Sequence, residues 1–183
     1  MLVFWEHGYE ATSIGDLTAA MGITPPSLYA AFGDKERLFL EAIERYVLST
    51  GGLGLRAMND EACPRRGMER LLETAAEELT RPCHPRGCMV VMAATNCSVA
   101  AERVQAALVR QREQAEQAIR DRLQRALDQG QLPAGTDVAA LADFYGAVYR
   151  GMSMRAKDGA TRESLLATAA MAMRSWPQDA PAG

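Results

Sequence analysis

Apolar residues recur at three- and four-residue intervals along almost the whole chain, which is the spacing of amphipathic helices. No stretch alternates apolar and polar positions for long enough to build a sheet. The pattern therefore predicts an all-α protein of about nine helices. Their approximate ranges are 1–7, 13–20, 25–31, 34–49, 68–79, 88–95, 98–129, 136–156 and 161–176.

Side chains that can accept a hydrogen bond from a free backbone N–H stand where several of these predicted helices begin. They are Ser13, Thr24, Asp34, Thr136 and Thr161. Asp16 follows Ser13 at the spacing of a capping box, and Pro25 follows Thr24 at the first helical position, where a missing N–H costs little. These signals agree with the helix starts that the apolar pattern predicts.

A glycine-rich segment at 51–54 interrupts the helical pattern, and Asn59, Asp60 and Pro64 extend the break. Glycine and proline clustered in this way are typical of a loop. We therefore expect a hinge that divides the chain into two domains, residues 1–50 and residues 51–183.

The last two predicted helices are rich in small residues. Small side chains let helix axes approach closely, and Met fills the irregular gaps between them. This composition predicts a helix-packing surface that forms a homodimer. The interface candidates are Ala139, Gly146, Ala147, Gly151, Ala169, Ala172 and Met173.

Two short predicted helices between residues 13 and 31 are joined by Met21-Gly22-Ile23. This is the spacing of a helix-turn-helix, in which the second helix can enter the major groove of DNA. Gly22 supplies the permissive turn, although a simple helical hairpin has the same requirement. The apolar residues that would pack inside the unit are Ile14, Leu17, Ile23, Leu28 and Phe32.

Longer stretches carry a more specific signal. Residues 4–17 read FWEHGYEATSIGDL, and residues 22–38 read GITPPSLYAAFGDKERL. Together they resemble the N-terminal domain of TetR/AcrR family transcriptional regulators. Residues 130–133, which read GQLP, are with Asp137 similar to a turn before the eighth helix of that family.

The resemblance implies an N-terminal three-helix, helix-turn-helix domain that binds double-stranded operator DNA. It also implies a helical C-terminal domain that binds a small-molecule effector and forms a homodimer through a four-helix bundle of the last two helices. In this family the first helix usually begins further upstream, after a basic arm. We therefore expect the first helix of this chain to be truncated.

Carried over to this sequence, the resemblance implies two sets of DNA contacts. Thr12 or Ser13 would donate to a phosphate at the start of the second helix, where free N–H groups and the helix dipole favour an anion. Tyr29 and Lys35 would also contact the DNA backbone. Base edges would be contacted by Thr24, Pro25, Pro26 and Ser27. Simpler roles stay open, with Thr24 acting only as a helix cap and Lys35 only as a solvated charge.

The net charge of the predicted DNA-binding segment is unusual for a protein that binds DNA. The chain has 20 basic and 23 acidic residues, a formal net charge of -3 and a pI near 5.5. Nucleic-acid-binding domains are usually basic. Residues 1–50 hold three basic and seven acidic residues, which gives this segment a net charge of -4. Composition alone would not nominate a DNA-binding protein, so the prediction depends on the motif.

A regulator of this class binds its effector in the C-terminal domain, and ligand pockets are mostly apolar. Few charges fall on the helix faces that would form such a pocket. We therefore expect an apolar or aromatic effector and no cofactor. The candidate lining residues are Leu72, Ala76, Met89, Met92, Phe144, Tyr145 and Val148.

Three of the four cysteines, Cys83, Cys88 and Cys97, lie close together in the sequence. Cys88 stands at a predicted helix start beside Arg86, and both features favour a reactive thiolate. A thiol- or electrophile-sensing repressor is therefore an alternative, next to ordinary reduced thiols. The spacing does not match a zinc site, so no metal is expected.

Other protein classes find less support in the sequence. The segment 51–54 lacks the Lys of a phosphate-binding loop, and no nucleophile motif occurs, so we do not expect an enzyme. A helical protein-interaction scaffold without DNA binding is a weaker alternative. No membrane-spanning run and no signal peptide are present, and a soluble cytoplasmic protein is expected.

Overall fold

The computed structural model describes residues 1–93 and 101–178. Within these ranges the chain is helical and has no β-strand, so the predicted all-α fold is confirmed. A π-helical turn, Val47–Gly51, joins α4 to α5. The ten α-helices found in these two ranges are α1 (Leu2–His7), α2 (Ile14–Met21), α3 (Pro25–Phe32), α4 (Lys35–Tyr46), α5 (Leu53–Asp60), α6 (Pro64–Glu78), α7 (Met89–Met92), α8 (Glu102–Asp128), α9 (Val138–Lys157) and α10 (Arg162–Met173).

The helices of the N-terminal half begin where the sequence predicts. The hydroxyl of Ser13 accepts a hydrogen bond from the N–H of Asp16 at 3.1 Å, and the Asp16 carboxylate accepts one from the N–H of Ser13 at 2.8 Å. Thr24 and Asp34 each accept a hydrogen bond from the N–H three residues on. Gly22, with a φ of 66°, ends α2 in the left-handed conformation that glycine adopts without strain.

Most of the loop expected between residues 51 and 64 is helical, since the π turn ends at Gly51 and α5 covers Leu53–Asp60, while residues 61–63 are not helical. The glycines permit close packing instead of breaking the helix. A Cβ on Gly51 would overlap the ring of Tyr46, and a Cβ on Gly52 would lie 2.5 Å from the carbonyl oxygen of Val47. A largely helical segment, interrupted only at Gly52, therefore connects α4 to α5.

Close backbone contacts hold the C-terminal half together. A Cβ on Gly67 in α6 would lie 2.6 Å from the carbonyl oxygen of Met58 in α5. Arg122 on α8 is largely buried and donates hydrogen bonds to the carbonyl oxygens of Glu61 and Ala62, both at 3.0 Å. Because α6 also packs against α10, and α8 against α9, these helices share one apolar core with the N-terminal half.

Of the helix starts predicted from the sequence, the one at Thr136 is displaced by one residue, and the one at residue 98 is not described by the structure. The N-cap of α9 is Asp137, which accepts the N–H of Ala140 at 2.9 Å, whereas the hydroxyl of Thr136 donates to the carbonyl of Pro133. The helix expected over 88–95 is the single turn α7, and the start expected at residue 98 lies outside the described residues. In the ranges that the structure describes, no helix is long and apolar enough to cross a membrane.

Candidate DNA interface and effector cavity

The first turn of α3 forms an exposed ridge, which we define as residues Thr24–Ser27. All four residues of the ridge are exposed, whereas Leu28 directly after them is fully buried. The Thr24 hydroxyl accepts the N–H of Ser27 at 3.4 Å, and the two hydroxyl groups lie 3.0 Å apart. The ridge therefore presents two hydroxyl groups and two proline rings to solvent, on a helix that Leu28 anchors in the core.

Tyr29 and Lys35 are both accessible, in different ways. Tyr29 follows the ridge on α3, and 48% of its surface is exposed. Lys35 at the start of α4 is half-buried, with its Nζ 4.4 Å from the centroid of the Tyr9 ring. Desolvation lowers the pKa of Lys35, and the negative charge of Glu10 opposes this shift. The aromatic face thus fixes the position of the ammonium group.

The two residues expected to bind phosphate before α2 differ in exposure. Thr12 is 1% exposed, and its hydroxyl donates a hydrogen bond inward to the carbonyl of Gly8 at 2.6 Å, so its expected phosphate contact needs correction. Ser13 is exposed, and its hydroxyl donates to the Asp16 carboxylate at 2.6 Å. The hydrogen bonds from Ser13 lower the pKa of Asp16 and keep a negative charge at this helix start.

Arg37 is a basic residue that the sequence reasoning missed. It is exposed in the first turn of α4, where its N–H donates to the Asp34 carboxylate at 2.8 Å. Its guanidinium lies along Gly33, since a Cβ there would be 3.1 Å from the Arg37 Nη1. The available signal was its position two residues after Lys35 in a segment with three basic residues.

A mostly apolar cavity of about 200 Å³ is lined by both halves of the chain. Trp5 of α1 and Tyr46 of α4 contribute from the N-terminal half. The π turn and helices α5 to α9 contribute the rest of the wall. An occupant of this cavity would therefore touch the DNA-binding half directly.

None of the seven residues expected to line an effector pocket lines this cavity. On α6, Leu71 and Ala75 take the cavity face, while Leu72 and Ala76 are fully buried in the core. Adjacent helical positions point about 100° apart, so Leu71 and Leu72 cannot both face the same cavity wall. The other five candidates are buried (Met89 and Tyr145), partly buried (Met92 and Val148) or exposed (Phe144).

The charged side chains in the cavity wall have partners within the chain. Arg150 forms an ion pair with Glu116, and Arg112 donates to a backbone carbonyl of α7 at 3.0 Å. Glu78 forms an ion pair with Arg81. Two arginines and two glutamates reach the wall, so their charges sum to zero.

Cys88 is buried and lines the cavity, as do the phenol-bearing residues Tyr46 and Tyr149. Burial, followed by the neighbouring thiol, raises the pKa of both phenols. Cys83 is exposed, and Cys97 lies outside the described residues. Among the residues that are described, no three His, Cys, Asp or Glu side chains are grouped to hold a metal ion.

The small residues of α9 and α10 divide between the core and the exterior. The candidates that face outward are Ala139, Ala147 and Gly151. The candidates buried within the chain, which do not face outward, are Gly146, Ala169, Ala172 and Met173. The reason is that α10 packs against α6 as well as α9, and Gly146 faces α8. Large apolar side chains that are also exposed on these helices are Phe144, Met154 and Met171.

Sequence comparison decides the family. Residues 1–42 match the profile "Bacterial regulatory proteins, tetR family", and residues 64–176 match "Tetracyclin repressor-like, C-terminal domain". The chain belongs to the TetR family. This TetR-family chain is 32% identical to the HTH-type transcriptional repressor ComR of Escherichia coli K12 in an alignment 185 positions long that covers 97% of the chain and 85% of ComR.

Solved structures share the TetR-family fold. A cysteine-substituted form of the regulator CifR, complexed with 26 bp double-strand operator DNA, is 41% identical with a TM-score of 0.93 over 96% of this chain and 92% of CifR. AibR, in complex with isovaleryl coenzyme A and operator DNA, is 19% identical with a TM-score of 0.68 over 95% of this chain and 92% of AibR, which is a likeness of fold alone. This TetR-family chain is therefore a DNA-binding transcriptional regulator.

Proposed function

We propose that the chain is a repressor that binds double-stranded operator DNA as a homodimer and leaves it when a small, neutral, largely apolar effector enters the cavity. The observation that carries the proposal is the exposed ridge Thr24–Ser27 above the buried Leu28. Similarity to ComR and to operator-bound CifR supports it. The proposal includes no catalytic step, and it places the protein in the cytoplasm with bacterial DNA.

The ridge supplies the contacts that read sequence. Thr and Ser hydroxyls can donate to or accept from base edges, and proline rings can contact the methyl group of thymine. Tyr29, Lys35 and Arg37 would position the helix by contacting phosphates, which carry little sequence information. Ser13 would add a contact at the start of α2, beside the carboxylate of Asp16.

The cavity defines the class of effector. Its wall is mostly apolar, and the charges of its two arginines and two glutamates sum to zero. Arg150 pairs with Glu116, Glu78 pairs with Arg81, and Arg112 donates to a backbone carbonyl, so a charged ligand would have to compete with these partners. A neutral ligand with an apolar or aromatic body meets no such cost. Hydroxyl groups of Thr50 and Thr74 in the wall can orient a single polar group on that body.

Selection of random double-stranded DNA by the purified protein, followed by sequencing with and without candidate apolar compounds, tests the proposal. One palindromic consensus should emerge, and an effector should reduce its retention. Replacing Tyr29 and Lys35 together by Ala should weaken binding to all sequences, whereas Arg125→Ala on α8 should not. Failure to enrich any sequence, or equal binding by the double variant, would contradict the proposal.

The position of Cys88 favours a second candidate function, an electrophile-sensing repressor. N-ethylmaleimide serves as the probe. The Cys88 sulfur would form a C–S bond to one alkene carbon, the C=C π bond would be lost, and the thiol proton would go to the other carbon. The adduct would fill the cavity and displace its wall.

The two candidate functions differ in their response to this reagent. Under the second function, N-ethylmaleimide releases operator DNA from the wild type and from Cys83→Ser, an exposed matched control, but not from Cys88→Ser. Equal release from Cys88→Ser rejects Cys88 as the sensor. Release by a reversible apolar compound from Cys88→Ser favours the first function.

A further inference from the structure

We propose that Trp5 couples occupancy of the cavity to the DNA-binding half, through its hydrogen bond to the carbonyl of Gly87. The inference rests on the proposed function, since it requires that an occupied cavity weakens operator binding. It assigns to one side chain of α1 the role of a positioning residue for α2 and α3.

Trp5 belongs to α1 in sequence but takes part in the wall of the cavity. Its indole is 2% exposed, and Nε1 donates a buried hydrogen bond to the Gly87 carbonyl at 3.0 Å. The ring stacks on His84 with centroids 4.3 Å apart, and it meets the Tyr46 ring edge-on at 4.8 Å. The segment between α6 and α7 therefore holds Trp5 by a polar contact and an aromatic contact.

The partner of Trp5 is itself fixed to α9. Gly87 has a φ of 81°, and a Cβ there would lie 3.0 Å from the carbonyl oxygen of Ser153. The N–H of Cys88 donates to the Ser153 hydroxyl at 2.8 Å, and Arg86 donates to the carbonyl of Ala156 at 2.8 Å. The carbonyl that accepts from Trp5 is thus held firmly relative to α9, the helix of the proposed dimer interface.

On its other side, α1 packs against the DNA-binding unit. The Phe4 ring meets the Phe39 ring of α4 edge-on, with centroids 5.0 Å apart, and α1 also contacts α2. The ion pair between Lys157 and Glu6, at 3.2 Å, also links α9 to α1 but lies near the surface, where such pairs contribute little. The buried bond of Trp5 is therefore the stronger restraint of the two.

An occupant that needs the space of the indole would break this bond and leave a buried N–H and a buried carbonyl without partners. Such groups are costly, so α1 would move to a position in which water or another group satisfies them. Because Phe4 moves with α1, the displacement would reach α4 and the helix-turn-helix. The recognition helices would then lose the separation that the operator requires.

A built-in occupant tests the coupling without knowledge of the effector. Ala115→Phe on α8 places a ring in the cavity, and it should weaken operator binding about tenfold, within the usual range of coupling between sites. In the Trp5→Phe background, which keeps an aromatic ring but lacks the N–H, the same substitution should change affinity less than about threefold. In the matched Trp176→Phe background the tenfold loss should remain.

A second readout does not depend on the DNA-binding competence of the Trp5→Phe variant. Trp176→Phe leaves Trp5 as the sole tryptophan, so its indole N–H gives one NMR signal. Ala115→Phe should accelerate hydrogen exchange of this N–H, whereas Gln105→Phe at an exposed position of α8 should not.

The outcomes separate the inference from the proposed function. Equal losses of affinity in the wild-type and Trp5→Phe backgrounds, unchanged affinity on Ala115→Phe in the wild type, or an unchanged exchange rate would each overturn the role of Trp5. Absence of any operator binding by the wild type would instead overturn the proposed function.

Discussion

Gly67 lies so close to Met58 that a Cβ on the glycine would be 2.6 Å from the methionine carbonyl oxygen. Backbone atoms cannot yield as a flexible side chain can, so Gly67→Ala must push α5 away from α6. We expect a loss of about 1–3 kcal/mol in the free energy of unfolding, the usual cost of overpacking. Urea denaturation followed by circular dichroism measures this loss.

The control for this prediction is Gly15→Ala, in the first turn of α2. A Cβ there meets only the Ser13 hydroxyl, at an ordinary 3.5 Å. Alanine is the better helix former by up to about 1 kcal/mol, so this variant should be at least as stable as the wild type. Equal effects of the two substitutions would mean that the contact between Gly67 and Met58 is not tight.

Tyr145 carries a buried hydroxyl that has no hydrogen-bond partner in the described part of the chain. An unsatisfied buried polar group is costly, so Tyr145→Phe should raise the free energy of unfolding at pH 7 by about 1 kcal/mol or leave it unchanged. Tyr29→Phe, at an exposed position, is the matched control and should have no effect. A clear destabilisation by Tyr145→Phe would reveal a partner for the hydroxyl.

The same residue predicts a dependence of stability on high pH. Burial raises the pKa of Tyr145 to about 12 from its ordinary value of 10. Between these two pKa values the folded state still holds the phenol proton, whereas the unfolded state has lost it. The contribution of this proton to the free energy of unfolding is complete below pH 10 and is lost as the pH rises through 12. Denaturation should be measured for the wild type and for Tyr145→Phe between about pH 9 and 12. As the pH rises, the free energy of unfolding of the variant should increase relative to that of the wild type. A constant difference across this range would contradict the shift.

Ser27 and Tyr29 are expected to change DNA binding in different ways. Ser27→Ala removes a hydroxyl from the ridge and should relax the selected sequence at one position, at a cost of about 1–3 kcal/mol for the preferred base. Tyr29→Phe removes a hydroxyl group that would donate a hydrogen bond to a DNA phosphate. It should therefore weaken binding to all DNA sequences by a similar factor. Selection and sequencing with each variant measures both effects. Identical consensus sequences from wild type and Ser27→Ala would exclude base readout by this residue.

The exposed face of α9 predicts the oligomeric state. Ala147→Glu places a charge among apolar side chains that include Phe144 and Met154, so it should convert the dimer to a monomer and abolish operator binding. Gln105→Glu, at an exposed position of α8, should change neither property. Sedimentation velocity and gel shift measure the two properties. A dimeric Ala147→Glu variant would place the interface elsewhere.

Local chemistry made the N-terminal half predictable from sequence. Ser13, Thr24 and Asp34 cap their helices through side chains three residues from the N–H that they bind, so the signal is contained within one turn. The break expected at Gly51 and Gly52 failed for a non-local reason. Those glycines make room for the Tyr46 ring and the Val47 carbonyl, and sequence pattern does not distinguish a glycine that bends the chain from one that admits a neighbour.

The cavity was predictable in kind but not in its residues. The apolar stripe of α6 is wide, since Leu71 and Leu72 are both apolar, as are Ala75 and Ala76. Periodicity identifies the apolar face of a helix. Which of two adjacent apolar positions on that face lines a cavity depends on how the other helices pack against it. The same limit explains why Trp5, far away in sequence, was not expected in the wall.

The overlap between a Cβ at position 51 and the ring of Tyr46 has an evolutionary consequence. The two positions form a pair in which one side chain excludes the other. Relatives that keep the π turn and bear a side chain at the position of Gly51 should have a smaller residue at the position of Tyr46. An alignment of such relatives would then reveal covariation at the junction where the DNA-binding half meets the effector cavity.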